Sequence, residues 1–199
     1  MRYVTDVAEL EAIYGAPGEA SIVKVADHLT PLYRKWIMAS RFCILSTVGP
    51  EGTDASPRGD DGPVVTELDA HTLAMPDWRG NNRMDSLRNI VRDGRVSVMF
   101  MVPGSNNVVR VNGAGRVCVD ADVCGRFTEN GRAPRSVILV EIAEVYSQCA
   151  RALMRSGLWG DVAAPDLPSV GALLAEAKEG FDGASYDAEW GARAEKTMW

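Results

Sequence analysis

The chain has 199 residues, 46% of them hydrophobic and 24% charged, a balance that fits one globular domain with appended helices and excludes a disordered or fibrous chain. A formal net charge of −6 argues against general affinity for nucleic acid or for an anionic membrane, because both need clustered, uncompensated cations. No apolar run approaches a membrane span and residues 1–6 lack the apolar core of a signal peptide, so a cytoplasmic location with no membrane partner is expected.

Cys43, Cys118, Cys124 and Cys149 form no C-x-x-C pair and have few histidines around them. A zinc site therefore has little support, and reduced thiols are the expectation in a reducing compartment.

In chain order, residues 7–15 read as a short surface helix with Asp6 as N-cap and Gly15 as its stop. A second helical stretch covers 28–39, where Thr30 and Pro31 suit a cap and a first turn and Leu32, Trp36 and Ile37 share a face. Residues 42–48 are short, apolar and β-rich. The Gly49-Pro50-Glu51-Gly52 turn then sends the chain back through 53–58. Residues 64–68 and 71–76 read as two more strands joined by Asp69-Ala70.

A helix is predicted from about Asn82 to Val91, with Met84, Leu87, Ile90 and Val91 facing inward and Asp93-Gly94 closing it. Strands follow over 95–102 and 107–117, around the Pro103-Gly104-Ser105-Asn106 turn, and 136–142 is the last strong one. The tail is helical over 148–156 and 170–179, with Pro165, Pro168 and Gly183 at the joints, and Trp199 reads either as a packing anchor or as a disordered end. Six or so short strands with one inserted helix predict a mainly β fold, a closed or nearly closed antiparallel barrel with flanking helices.

The most informative stretch is Met75-Pro76-Asp77-Trp78-Arg79-Gly80-Asn81-Asn82-Arg83-Met84-Asp85-Ser86-Leu87-Arg88. Here a strand runs out, turns on a glycine and becomes a helix through polar residues. The free N–H groups and positive dipole end of such a helix favour an anion, and Arg79, Arg83 and Arg88 are available for bidentate contacts to a phosphomonoester. The alternative is that these arginines solvate an exposed face and pair with Asp77, Asp85 and Asp93. Neither Gly-x-Gly-x-x-Gly nor a phosphate loop ending in Gly-Lys-Ser/Thr occurs.

Taken together, the hairpin with Ser56-Pro57-Arg58-Gly59-Asp60, the 75–90 turn and helix, Arg95-Val96-Ser97-Val98-Met99-Phe100 and Arg110-Val111-Asn112-Gly113 resemble the pyridoxamine 5'-phosphate oxidase superfamily of flavin-binding split barrels. More narrowly, the sequence is similar to a bacterial branch of flavin-dependent proteins. Ser-Pro-Arg-Gly-Asp, Pro-Asp-x-x-Gly-Asn-x-Arg-x-Asp-Ser-Leu-Arg-Asn and a Val-Pro-Gly followed by Leu-Arg-Val-Asn-Gly are typical of that branch. The resemblance covers about residues 42–159. It implies an antiparallel split β-barrel that binds FMN: N-terminal helices over 1–40 packing on the barrel, a core over 41–147 and a helical extension over 148–199, all one structural domain.

Position by position, the resemblance places Ser56, Pro57, Arg58 and Gly59 along the flavin ring and ribityl chain. It places Met75, Pro76 and Asp77 at the polar edge of the ring, and Asn81, Asn82 and Arg83 at the phosphate-binding helix start, with Leu87 of that helix in the cofactor-binding set. Arg110, with Val108 and Asn112 beside it, falls on the strand that in relatives reaches the flavin of the opposite subunit. A homodimer with two equivalent sites at its interface is therefore implied. The plainer reading of Arg110 is a surface cation. Cys149 to Trp159 resembles the branch's C-terminal signature, so Arg155 and Trp159 are candidates for closing the pocket. Equally, Trp159 can anchor its helix to the barrel while Arg155 makes a salt bridge.

The implied function is an FMN-dependent oxidoreductase acting on an unidentified small molecule, with the flavin supplying the electron chemistry and no catalytic acid or base required. His28 and His71 are the only histidines, and His71 reads as a strand-turn residue. True pyridoxamine 5'-phosphate oxidases carry a C-terminal motif of Arg, His and Asp that clamps substrate; residues 189–199 lack it, so vitamin B6 oxidation is not the expected reaction. The alternatives are a flavin carrier, sensor or redox partner without turnover, and a binder of haem or a deazaflavin.

Overall fold

The chain opens with α1 (Val7–Tyr14), where the Asp6 carboxylate accepts from the Ala8 backbone N–H at 3.0 Å and Gly15 ends the helix. Its apolar residues Val7, Leu10 and Ile13 face solvent, as do Ile22 and Val23 of α2 (Glu19–Val23). These features come from a computed structural model that describes residues 1–129, 131–161, 163 and 165–198; Trp199 lies outside the described residues.

α3 (Pro31–Ile37) is capped by Thr30, whose hydroxyl accepts from Tyr33 N at 3.4 Å. Ile37 is fully buried and Trp36 partly so, but Leu32, expected on the same face, is 79% exposed. Tyr33, one turn before Ile37, takes that place. Its hydroxyl donates to Lys24 O at 2.6 Å and accepts from Ser147 N at 3.2 Å.

Alternation builds the first hairpin. β1 (Phe42–Gly49) buries Cys43, Leu45 and Thr47, turns at Pro50-Glu51 and pairs with β2 (Gly52–Gly59) from Gly49↔Gly52 to Phe42↔Gly59. Burial pushes the Cys43 thiol up to about 12. β3 (Thr66–Asp69) and β4 (Thr72–Asp77) follow. Val64 and Val65, read as strand, are core residues that precede β3.

The inserted helix, α4 (Asp85–Arg92), starts later than Asn82 because Asn82 and Met84 adopt left-handed backbone angles, φ 59° and 61°. Its inward face also differs from expectation. Ser86, Asn89 and Ile90 are buried and Leu87 is half-buried, whereas Met84 and Val91 are exposed. Polar anchors explain the rotation: Ser86 Oγ donates to Asp54 Oδ2 at 2.5 Å, and Asn89 Nδ2 to Thr47 Oγ1 at 3.1 Å. The helix comes so close to the hairpin that a Cβ at Gly49 would stand 2.3 Å from Asn89 Oδ1.

β5 (Arg95–Met101) and β6 (Val108–Cys118) form the next antiparallel pair, and α5 (Ala121–Gly125) follows. β7 (Ser136–Gln148) runs well past residue 142, pairing with both β6 and β4. Its length delays the tail, which comprises α6 (Arg151–Ser156), α7 (Val170–Ala177), α8 (Gly183–Ala188) and α9 (Trp190–Thr197).

The seven strands form one antiparallel sheet in the order β2-β1-β5-β6-β7-β4-β3, and no ladder joins β2 to β3 or β4. The sheet curls into a barrel left open along one seam, the mainly β split barrel that the sequence predicts. Leu45, Val98, Phe100, Val111, Ile138 and Val140 fill its interior. Among the described residues no helix is long and apolar enough to cross a membrane.

Candidate functional site

Alternation along β2 puts Asp54, Ser56 and Arg58 on its half-covered face and leaves Thr53, Ala55 and Pro57 more exposed. Across the seam β4 ends at Asp77. Arg58 Nη1 donates to Asp77 Oδ1 at 2.5 Å, and each side chain is 19% exposed. Just beyond, Trp78 Nε1 donates to Asp60 Oδ2 at 2.8 Å. Side chains thus bridge the strands where backbone ladders do not.

A cleft of about 1270 Å³ follows this seam. Its walls are β2, the end of β4, the loop from Trp78 to Met84 and the first turn of α4; residues 132–135, Lys196 and Met198 complete it. The volume exceeds the roughly 300–1,000 Å³ of an ordinary small-molecule site.

The start of α4 leaves backbone N–H groups without an intrahelical partner. Its first intrahelical bond runs from Arg88 N to Met84 O at 2.9 Å, so the N–H groups of Asp85, Ser86 and Leu87 precede the ladder, and no side chain caps them. Asn81 Oδ1 accepts from Arg83 N at 3.0 Å and fixes the loop just before the helix. Arg83, 76% exposed, donates from Nε to Asp85 Oδ2 at 2.8 Å and keeps its two terminal nitrogens for other contacts.

That ion pair is part of the alternative raised for the arginines, and the rest of it is distributed differently. Asp77 pairs with Arg58 and Asp93 with Arg95, while Arg79 and Arg88 make no ion pair among the described residues. One further polar atom matters: Arg58 Nε is buried in the cleft wall without a hydrogen-bond partner among the described residues. A donor in that state suits a ligand with acceptors along its edge. Together with the bare helix start, it gives the cleft donors that would fit a ligand with a polar edge and an anionic end.

The structure brings together Ser56, Pro57, Arg58, Gly59, Met75, Pro76, Asp77, Asn81, Asn82, Arg83 and Leu87, all of which line the cleft. It does not bring Arg110, Arg155 or Trp159 there. Arg110 lies on β6, 5.4 Å from the centre of the Tyr146 ring and 3.4 Å from Gln148 Oε1. Trp159 donates to Ser105 O at 2.7 Å, tying the end of the α6 region to the β5–β6 connection. Arg155 is exposed on α6.

Sequence reading missed Asp54, Trp78, Arg132, Arg135, Lys196 and Met198. The signal for Arg132 and Arg135 is the register of β4 with β7. Asp77 pairs with Ser136, which sets the residues before Ser136 beside the end of β4. The histidines lie elsewhere, with His28 Nδ1 2.7 Å from Asp27 Oδ1 and the His28 and His71 ring centres 5.8 Å apart.

This geometry defines an open antiparallel barrel with a cleft at its seam. Residues 29–149 match the model of the pyridoxamine 5'-phosphate oxidase family, and the chain belongs to that family. No curated protein matches its sequence. Among solved structures, it is similar to HupZ of group A Streptococcus at 13% identity over 60% of this chain and 93% of that one, with a TM-score of 0.49. A Lactobacillus delbrueckii protein described as a candidate pyridoxamine 5'-phosphate oxidase is 22% identical over 61% of this chain and 95% of its own, with a TM-score of 0.48. A FAD-binding protein of Mesorhizobium loti is 19% identical over 62% and 94%, with a TM-score of 0.43.

Proposed function

We propose that this protein binds flavin mononucleotide in the seam cleft and acts in the cytoplasm as a flavin-dependent oxidoreductase on a small molecule. The observation that carries the reading is the uncapped start of α4, which opens onto a cleft whose wall holds the unpartnered Arg58 Nε. Family membership supports a flavin as the cofactor class.

In this reading the backbone at Asp85, Ser86 and Leu87, with Asn81, Asn82 and Arg83, receives the phosphate. Ser56 to Gly59 and Met75 to Asp77 take the ring and ribityl chain, with Arg58 Nε donating to a ring acceptor. The flavin, when bound, supplies electron transfer; the protein orients substrate and sets polarity around the ring. Arg110, Arg155 and Trp159 lie outside the cleft of a single chain. In a twofold homodimer they are the residues proposed to complete the partner's site.

Anaerobic mixing of the FMN-loaded protein with NADH or NADPH tests turnover. Rapid bleaching of the oxidised flavin band is the expected result. A flavin that stays oxidised with every donor supports a carrier or sensor and removes the enzymatic reading.

A further inference from the structure

Two of the four cysteines meet on the outer face of the sheet. Cys118 ends β6 directly opposite Val137 of β7, and residues opposite each other in an antiparallel pair project to the same side. Val137 does not face the barrel interior, which its neighbours Ile138 and Val140 help to fill. It packs instead in a small cluster with Ala74 and Cys124, flanked by Val123, Phe127 and Leu139. Cys118 and Cys124 therefore share Val137 as a neighbour, one from the adjacent strand and one from the helix that covers it.

The turn between them is fixed. Asp120 caps α5 by accepting from Asp122 N at 2.9 Å, and Cys124 N donates to Asp120 O at 2.9 Å. The two thiols differ in access: Cys124 is 6% exposed, whereas Cys118 is half-buried. Burial, a charge on Cys118 and the Asp120 carboxylate all raise the pKa of the Cys124 thiol, so it stays protonated and unreactive toward solvent oxidants. The other cysteines lie apart, Cys43 in the barrel interior and Cys149 beyond the far end of β7. Neither Cys118 nor Cys124 lines the cleft, but the connection they bracket leads on to residues 132–135 of its wall.

We propose that Cys118 and Cys124 form a reversible dithiol–disulfide couple that responds to hydroperoxides and ties α5 to the end of β6 when oxidised. Cys118, the accessible thiol, reacts first. Its thiolate sulfur attacks the hydroperoxide, an S–O bond forms as the O–O bond breaks, and the departing oxygen leaves protonated, as an alcohol or water. Cys124 then attacks the sulfenic sulfur of Cys118. The S–S bond forms as the S–O bond breaks, and the hydroxide leaves as water with the Cys124 proton. Two electrons pass from the sulfurs to the hydroperoxide, and a small dithiol returns the pair to its reduced state. A transient pair of this kind is compatible with thiols that rest reduced.

Oxidation of the full chain with hydrogen peroxide, then alkylation under denaturing conditions, trypsin digestion and mass spectrometry, tests the couple. Trypsin cuts after Arg116 and Arg126, so both cysteines fall in one peptide, residues 117–126. Most of that peptide should appear without alkyl groups and lighter by two hydrogens while Cys43 still alkylates in full, and dithiothreitol should restore both thiols. In Cys124→Ser, dimedone should trap a sulfenic acid at Cys118. In Cys118→Ser, loss of the Cys124 thiol should slow at least about tenfold. A peptide that takes two alkyl groups after peroxide treatment overturns the proposal, as does sulfinic acid at Cys118 beside a Cys124 that still alkylates. So does a disulfide from either cysteine to Cys149, or unchanged loss of the Cys124 thiol in Cys118→Ser. The peptide map of the unaltered chain decides the question even where a variant fails to fold.

Discussion

Arg58 on β2 and Asp77 on β4 form a hydrogen-bonded ion pair, Nη1 to Oδ1 at 2.5 Å, between two strands that share no backbone ladder. The pair spans the open seam of the barrel at the wall of the cleft. A double-mutant cycle with Arg58→Gln and Asp77→Asn should therefore give a coupling of about 1–3 kcal/mol in urea unfolding, because both groups are largely shielded from solvent. Arg58→Gln alone should be the more damaging change, since it leaves a partly buried carboxylate without its cation. Strict additivity would contradict the bridging role.

Arg83 pairs with Asp85 through Nε, and its two terminal nitrogens have no hydrogen-bond partner among the described residues. Arg83→Ala should weaken FMN binding about tenfold to a hundredfold and riboflavin binding far less, as read by flavin fluorescence titration. Equal losses for the two ligands would remove Arg83 from the phosphate site.

Gly113 stands at the register shift between β6 and β7, where an added Cβ would come within 1.9 Å of Glu141 O. The obstacle is backbone and cannot rotate away. Gly113→Ala should cost about 1–3 kcal/mol of folding stability, measured by chemical denaturation. A change below about 0.5 kcal/mol, typical of an unconstrained surface site, would contradict the packing.

Between α4 and β5 the Asp93 carboxylate accepts from Arg95 Nε at 2.6 Å and Nη2 at 2.8 Å, and from Arg95 N at 3.1 Å. These contacts hold its pKa down at about 2, below the ordinary 3.8. The folded value lies below the unfolded one, so the associated stability is present above about pH 4 and is lost as the pH falls through about 2. Carbonyl-detected NMR titration should show that midpoint, and Arg95→Gln should raise it toward the ordinary range. An unchanged midpoint in the variant would assign the shift to something else.

Much of the scaffold was legible because period-two burial is a local property. Residues 42–59 declare a hairpin, and 95–101 with 108–118 declare another, from alternation and turn residues alone. The start of α4 was not legible, because its left-handed residues are Asn82 and Met84 rather than glycine. Its inward face was misread for a related reason: Ser86 and Asn89 face inward to bond Asp54 and Thr47, contacts that hydrophobic periodicity does not report.

The cleft was legible along β2, β4 and α4, where each motif is contiguous. Arg135 depends on the pairing of Asp77 with Ser136 across a long sequence separation, and Lys196 on how the tail helices pack. Arg110, Arg155 and Trp159 lie elsewhere on the single chain, so a role for them in the cleft rests on a second copy.

The central claim is that the seam cleft holds FMN. The most direct measurement is to incubate the purified protein with excess FMN, remove free ligand by gel filtration and record the absorbance of the protein peak. The account predicts about one flavin per chain, with oxidised bands near about 370 and 450 nm. A protein peak free of flavin absorbance after saturating incubation would contradict it.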